Sequence, residues 1–225
     1  MTDDLLVYTG LEIFIHGPAA EAINHWRQHY DPAFASLEPH ITLAYPPFVP
    51  LEQWPLVKPA VLACLAGIEP FRVTLRGLGK FPSNTPDGPT VLWLKPEAGG
   101  RLARIRQALE KQLPAYVPPR PIPYEAHVTI GFIQGDDFLR QAYAWVQAEL
   151  HPIEFTVSEI TYEVDNKESG LKFMEAIPLT GASPVEGSSI FSRSRSHRKS
   201  QLKDGAGFLR KNSQLTAARG CLGRG

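Results

Sequence analysis

The feature that most limits the folds open to this chain is a short pattern written twice. Pro39-His40-Ile41-Thr42-Leu43-Ala44 and Ala126-His127-Val128-Thr129-Ile130-Gly131 share the order His, apolar, Thr, apolar, with the histidines 87 residues apart. Such alternation reads as a strand. On a strand, residues i and i+2 point to the same face. Each copy therefore presents one imidazole and one hydroxyl on one face and turns two apolar side chains to the other, toward a core.

The surroundings repeat as well. Strands are expected at 11–16, 40–45, 71–75, 91–95, 127–132, 153–164 and 171–177. Helices are expected at 19–30, 51–66, 100–113 and 136–150. Each half then reads strand, helix, His-strand, helix, strand. The offsets between equivalent points agree, 80 residues from Leu11 to Val91 and 84 from Phe71 to Phe155. One repeat of this size implies two similar lobes rather than a solenoid. The expected fold is α+β and bilobal, with antiparallel sheets, helices packed outside them and a pseudo-twofold axis. Along that axis the two His/Thr faces meet across a central groove. The lobes are placed at about 11–81 and 90–180.

Composition changes after Thr180. Residues 181–225 hold nine basic residues and two acids, a net of +7, and the chain as a whole is neutral, so residues 1–180 carry −7. The last segment is rich in Ser, Gly and Arg with scattered apolar residues, too few to offset the entropy of ordering it. It is read as a disordered basic tail behind a folded body at 1–180. Its two aromatic residues, Phe191 and Phe208, are too few to interleave with the nine basic ones, which weakens an RNA-arm reading. The neutral whole argues against a nucleic-acid coat or a polybasic membrane binder. No apolar run approaches the ~20 residues of a membrane span. The acidic start Met1-Thr2-Asp3-Asp4 does not read as a secretory signal. Two cysteines, Cys64 and Cys221, cannot build a disulfide framework or a zinc knuckle. The expected setting is cytoplasmic.

Two histidines on a groove suit one class of chemistry. Making or cleaving a phosphodiester needs a base for the attacking oxygen and an acid for the leaving one. Imidazole serves as either near neutral pH. The hydroxyls of Thr42 and Thr129 would donate to the non-bridging phosphate oxygens, and a metal ion is then unnecessary. Which histidine is acid and which base stays open. Tyr45, just after the first motif, and Arg120 and Tyr124, just before the second, are candidate substrate contacts, with core packing or loop anchoring the competing reading for each. His25 and His29 stand i, i+4 on the first helix but lack a third ligand. Cys64 reads as core. No Gly-rich phosphate loop supports an ATP-driven mechanism.

The paired tetrads, His40-Ile41-Thr42-Leu43 and His127-Val128-Thr129-Ile130, resemble the two-histidine (2H) phosphoesterase superfamily, which contains bacterial 2′-5′ RNA ligases and cyclic phosphodiesterases. The resemblance covers about residues 11–180. It implies a bilobal α+β fold, the four tetrad residues lining a central groove, and no cofactor or metal. The expected activity is cleavage of a 2′,3′-cyclic phosphate or 2′-5′ linkage in an RNA end or a small nucleotide. ATP-independent joining of RNA ends is the same reaction reversed. The alternative is a catalytically idle nucleotide- or RNA-binding module on the same fold. Neither needs a membrane, and a monomer suffices for both.

Overall fold

A computed structural model describes residues 7–83, 85, 87–118 and 123–182. The elements run β1 (Val7–Phe14), α1 (Gly17–Tyr30), β2 (His40–Ala44), α2 (Trp54–Leu65, led in by a 3-10 turn at Leu51–Gln53), β3 (Phe71–Phe81), β4 (Thr90–Glu97), α3 (Arg101–Gln112), β5 (Val128–Ile133), α4 (Asp136–Glu149), β6 (Ile153–Val157), β7 (Glu159–Asn166) and β8 (Leu171–Pro178). They build two four-stranded antiparallel sheets, ordered β2-β1-β7-β8 and β5-β4-β3-β6. The α+β, two-sheet architecture expected from the repeat is the one observed.

The lobes are not the sequence halves, however. β3, from the first half, sits in the second sheet, and β7 and β8, from the second half, complete the first. The boundaries at 11–81 and 90–180 are corrected accordingly. So is the single strand at 153–164, which breaks at Ser158 into β6 of one sheet and β7 of the other. The reason lies in the alternation. Ile153, Phe155 and Val157 are apolar at odd positions, whereas Ile160, Tyr162 and Val164 are buried at even ones. One strand cannot bury both sets, because a one-residue change of phase turns every side chain to the other face.

The helices cross over too. α1 packs on β5 and β6 and α4 on β3, while α3 packs on β2 and on α2. α1 comes so close to β5 that only glycine fits at Gly131. A Cβ there would stand 2.2 Å from Tyr30 Cβ and 2.8 Å from the Tyr30 carbonyl oxygen. Ile41, Leu43, Val128 and Ile130, the apolar members of the two tetrads, are fully buried. The ordered body also runs past Thr180. Gly181 N–H donates to the Ile68 carbonyl at 3.0 Å and Gly67 N–H to the Ala182 carbonyl at 2.9 Å, so hydrogen bonding to the body reaches Ala182. The basic tail lies otherwise outside the described residues.

Candidate functional site

β2 and β5 are each the edge strand of their sheet, and they contact one another. His40 opens β2 and His127 immediately precedes β5. Both imidazoles are held in the same way. His40 Nδ1 lies 2.9 Å from the Glu38 carbonyl oxygen and His127 Nδ1 lies 2.8 Å from the Glu125 carbonyl oxygen. A carbonyl can only accept, so Nδ1 carries a hydrogen in each and Nε2 is the atom left for chemistry. The shared i−2 bond makes the two copies geometric twins.

Each His-strand carries a bulge directly after its threonine. Thr42 faces Glu12 and Ala44 faces Leu11, so Leu43 is the extra residue of β2. Thr129 faces Trp93 and Gly131 faces Leu92, so Ile130 is the extra residue of β5. A bulge re-aims the side chains beyond it. Past the second one, Phe132 is 44% exposed and Ile133 is buried, the reverse of unbroken alternation.

Tyr45 and Tyr124 come together beside the histidines. The Tyr45 ring stacks toward His127 at 6.5 Å and meets Tyr124 edge-on at 6.5 Å. Tyr124 Oη donates to the Thr42 carbonyl at 3.0 Å, tying the segment before one tetrad to the other tetrad. Burial pushes the Tyr124 phenol up, and the nearby Tyr45 adds to it, so it stays a donor. Contacts thus link Thr42 to Tyr124, Tyr124 to Tyr45 and Tyr45 to His127, whose pKa also feels His40, and Thr129 pairs with Trp93 across β5 and β4. Arg120 lies outside the described residues. His25 and His29 are elsewhere, packing edge-on against Trp145 on the outer surface, with His25 Nε2 3.2 Å from Glu149. Cys64 is half-buried, its thiol 3.5 Å from the Ala108 carbonyl.

The surroundings of the two histidines differ. His127 lies edge-on to Phe81 at 4.9 Å and 5.9 Å from Trp93. Burial there holds its pKa below the ordinary value, and charge on His40 lowers it further, against the Glu125 hydrogen bond. His40, with its side chain 18% exposed, has Phe14 at 5.9 Å and the carboxylate of Glu12 3.9 Å from Nε2.

Sequence reasoning missed four contributors: Arg106, Glu12, Phe81 and Trp93. Arg106 on α3 is 3% exposed. Its Nη1 donates to the carbonyl of Leu43, the bulge residue, at 2.9 Å, and its Nε to Glu110 at 2.7 Å. Its guanidinium also lies 5.9 Å from the Tyr45 ring centroid and 5.3 Å from that of Tyr124. Arg27 on α1 is its counterpart, 79 residues earlier in the chain. Buried in turn, it bonds Asp31 at 2.8 Å and the Leu37 carbonyl at 2.7 Å, anchoring the loop that leads into His40. A signal was present: two arginines at one repeat offset, each followed at i+4 by an acid. Glu12 had one too, as a lone acid inside the apolar run Leu11-Glu12-Ile13-Phe14-Ile15.

A family model described as the 2′-5′ RNA ligase superfamily matches residues 16–167, about two thirds of the chain and both tetrads. The chain belongs to the 2′-5′ RNA ligase superfamily. Its two-histidine phosphoesterase character follows from that membership. Among relatives of the superfamily, an RNA 2′,3′-cyclic phosphodiesterase of Aeropyrum pernix is 42% identical over 69 residues. That match takes in 30% of this chain and 38% of that protein, so the chain matches well under half the length of this relative. Two solved superfamily-like folds align along nearly their whole length. TT0787 of Thermus thermophilus shares 20% identity at a TM-score of 0.53, covering 76% of this chain and 97% of that one. E. coli LigT, in a complex with 3′-AMP, shares 19% identity at a TM-score of 0.53, covering 77% and 98%. At these identities the likeness is one of fold.

Proposed function

We propose that this chain is a metal-independent phosphodiesterase acting on a 2′,3′-cyclic phosphate or a 2′-5′ linkage, in an RNA end or a small nucleotide, with His40 and His127 as the acid–base pair. The observation that carries the reading is the twin presentation of the histidines. Each is oriented through Nδ1 by the carbonyl two residues earlier, His40 opening β2 and His127 immediately preceding β5, two edge strands that contact one another. In hydrolysis of a cyclic phosphate, one Nε2 takes a proton from water as its oxygen bonds to phosphorus. The other Nε2 gives a proton to the ribose oxygen as its bond to phosphorus breaks, leaving a phosphomonoester and a free hydroxyl. Thr42 and Thr129, two residues past each histidine, donate to the non-bridging oxygens as charge builds there. With the 5′-hydroxyl of a second RNA end in place of water, the same proton transfers open the cyclic phosphate into a 2′-5′ linkage as the bond from phosphorus to the 3′-oxygen breaks, and the reverse of that transesterification cleaves the linkage. In this reading side chains supply the acid, the base and the oxyanion donors. The acidic body favours a small nucleotide or short RNA end over long RNA.

The test is incubation with a panel of 2′,3′-cyclic nucleotides and cyclic-phosphate-ended oligoribonucleotides in EDTA, with identification of the product isomer. Turnover in EDTA to a single phosphomonoester isomer is expected. Activity lost in EDTA and restored by a divalent ion overturns the mechanism. Binding of these ligands without turnover points instead to an idle binding module.

A further inference from the structure

The two sheets present equivalent register positions with opposite chemistry. In the second sheet, Trp93 stands opposite Thr129, and Phe81, on the neighbouring β3, faces Val91, two residues before Trp93. In the first sheet, Glu12 stands opposite Thr42, and Glu163, on the neighbouring β7, faces Gly10, two residues before Glu12. Where one histidine is backed by a stacked aromatic pair, with ring centroids 4.9 Å apart, the other is backed by a pair of carboxyls.

We propose that Glu12, supported by Glu163 and Tyr8, is a positioning residue that makes His40 the proton-carrying acid of the pair, while Phe81 and Trp93 make His127 the neutral base. The inference rests on the two-histidine reading above and settles what that reading left open.

Glu12 is 0% exposed and 3.9 Å from His40 Nε2. Opposite charge at that distance, away from water, favours an imidazolium. A buried carboxylate needs hydrogen bonds, and two groups supply them. Tyr8 Oη donates to Glu12 Oε1. Room for that bond comes from Gly10, where a Cβ would press to 3.1 Å from Glu12 Oε1 and 3.2 Å from Tyr8 Oη. The Oε2 atoms of Glu12 and Glu163 are both buried and accept no hydrogen bond from a donor among the described residues, while the two carboxyls are close enough to influence each other. One proton held on Glu163 and donated to Glu12 satisfies both. Burial, followed by the charge of Glu12, pushes the Glu163 carboxyl up to about 7 and keeps the Tyr8 phenol protonated. Both groups thus favour their protonated, hydrogen-bond-donating forms, with Glu12, beside His40, as the acceptor.

Among the described residues, the other charged or titratable groups that act on this cluster fit that assignment. From β2 come His40 and, just beyond the strand, Tyr45, whose influence on Tyr8 is weak. From β7 come Glu163 and Asp165, and from β8 Lys172, which lies 3.7 Å from Asp165 and offsets it. Around His127 stand the rings of Phe81 and Trp93, and burial among them together with charge on His40 disfavours a second imidazolium against the opposing influence of Glu125.

The experiment is a proton NMR titration of the imidazole resonances of the full chain, without substrate, for the parent, Glu12→Gln and Glu163→Gln. His40 is expected to keep its proton to a higher pH than His127 in the parent. In Glu12→Gln the gap should shrink by ~1 pH unit. In Glu163→Gln it should persist, because the amide still donates to Glu12. With a cyclic nucleotide, Glu12→Gln should move the alkaline limb of the pH–rate profile down by the same amount, a ~10-fold loss of kcat on that limb with KM nearly unchanged. A parent in which His40 releases its proton at or below the pH of His127 overturns the inference. So does a gap unaltered in Glu12→Gln, or one that collapses in Glu163→Gln. The titration decides this without turnover, so a chain with the expected order that cleaves no phosphodiester counts against the proposed function alone.

Discussion

Replacing Arg106 by methionine tests how the first His-strand keeps its shape. Leu43 is the extra residue of its bulge, and its carbonyl accepts from Arg106 Nη1 at 2.9 Å. Methionine fills most of the buried space and brings no polar group. The charge-assisted bond to a buried carbonyl is worth ~1.5–3 kcal/mol. The pair with Glu110, whose side chain is 35% exposed, adds ~0–1 kcal/mol. The guanidinium contacts with Tyr45 and Tyr124 add ~0.5–1 kcal/mol each. A total loss of ~3–4 kcal/mol is expected, which is a fall in Tm of ~10 °C for a domain of this size. Urea unfolding followed by circular dichroism should show a lower midpoint at an unchanged m-value. Because the bulge lies directly after Thr42, turnover of a cyclic nucleotide should fall ~10–100-fold even well below the new Tm. Arg106→Lys keeps the charge but cannot reach Leu43 and Glu110 in one plane, so it should lie between the two. A destabilisation under ~1 kcal/mol with native turnover in the methionine variant would show that the ladder holds the bulge without the arginine.

His40→Ala and His127→Ala should each lower turnover by ~10²–10⁴-fold in a folded protein, and the double variant by less than the product, since both act in one step; near-native rates in both single variants place the site elsewhere. Thr42→Val and Thr129→Val should lose ~10–100-fold, less than either histidine, as one donor remains. The base must be neutral and burial lowers the His127 pKa, so the acidic limb of kcat/KM should lie at lower pH than an ordinary imidazole gives; an acidic limb at or above the ordinary imidazole position contradicts the assignment of His127 as base. We propose that the folded unit closes at Ala182. A chain ended there should match the parent in Tm and small-substrate turnover and lose only low-salt affinity for long RNA. Ending at Thr180 also removes the two bonds to Gly67 and Ile68 and should lower Tm by a few degrees.

What the sequence determined by itself is what short-range periodicity encodes. Alternation in the two tetrads placed Ile41, Leu43, Val128 and Ile130 in the core and left His40, Thr42, His127 and Thr129 for the other face. That follows from backbone geometry within a few residues. The same holds for the four helices, whose apolar spacing located them within a few residues of their observed ends. Even the break at Ser158 was written in the change of apolar phase between Val157 and Ile160. Which strand joins which sheet was not, because an internal repeat identifies equivalent elements without saying whether each pairs within its own half or across. The differing backs of the two histidines were equally out of reach. Glu12 meets Glu163, and Trp93 meets Phe81, only once β1 lies beside β7 and β4 beside β3 in a fixed register. The bond from Arg106 to Leu43 spans 63 residues and forms only because α3 packs on a strand from the other half. Local preference sets where each side chain points along its own element. Only burying the two sheets and their exchanged strands together sets what it points at, and here that contact distinguishes one imidazole from its twin.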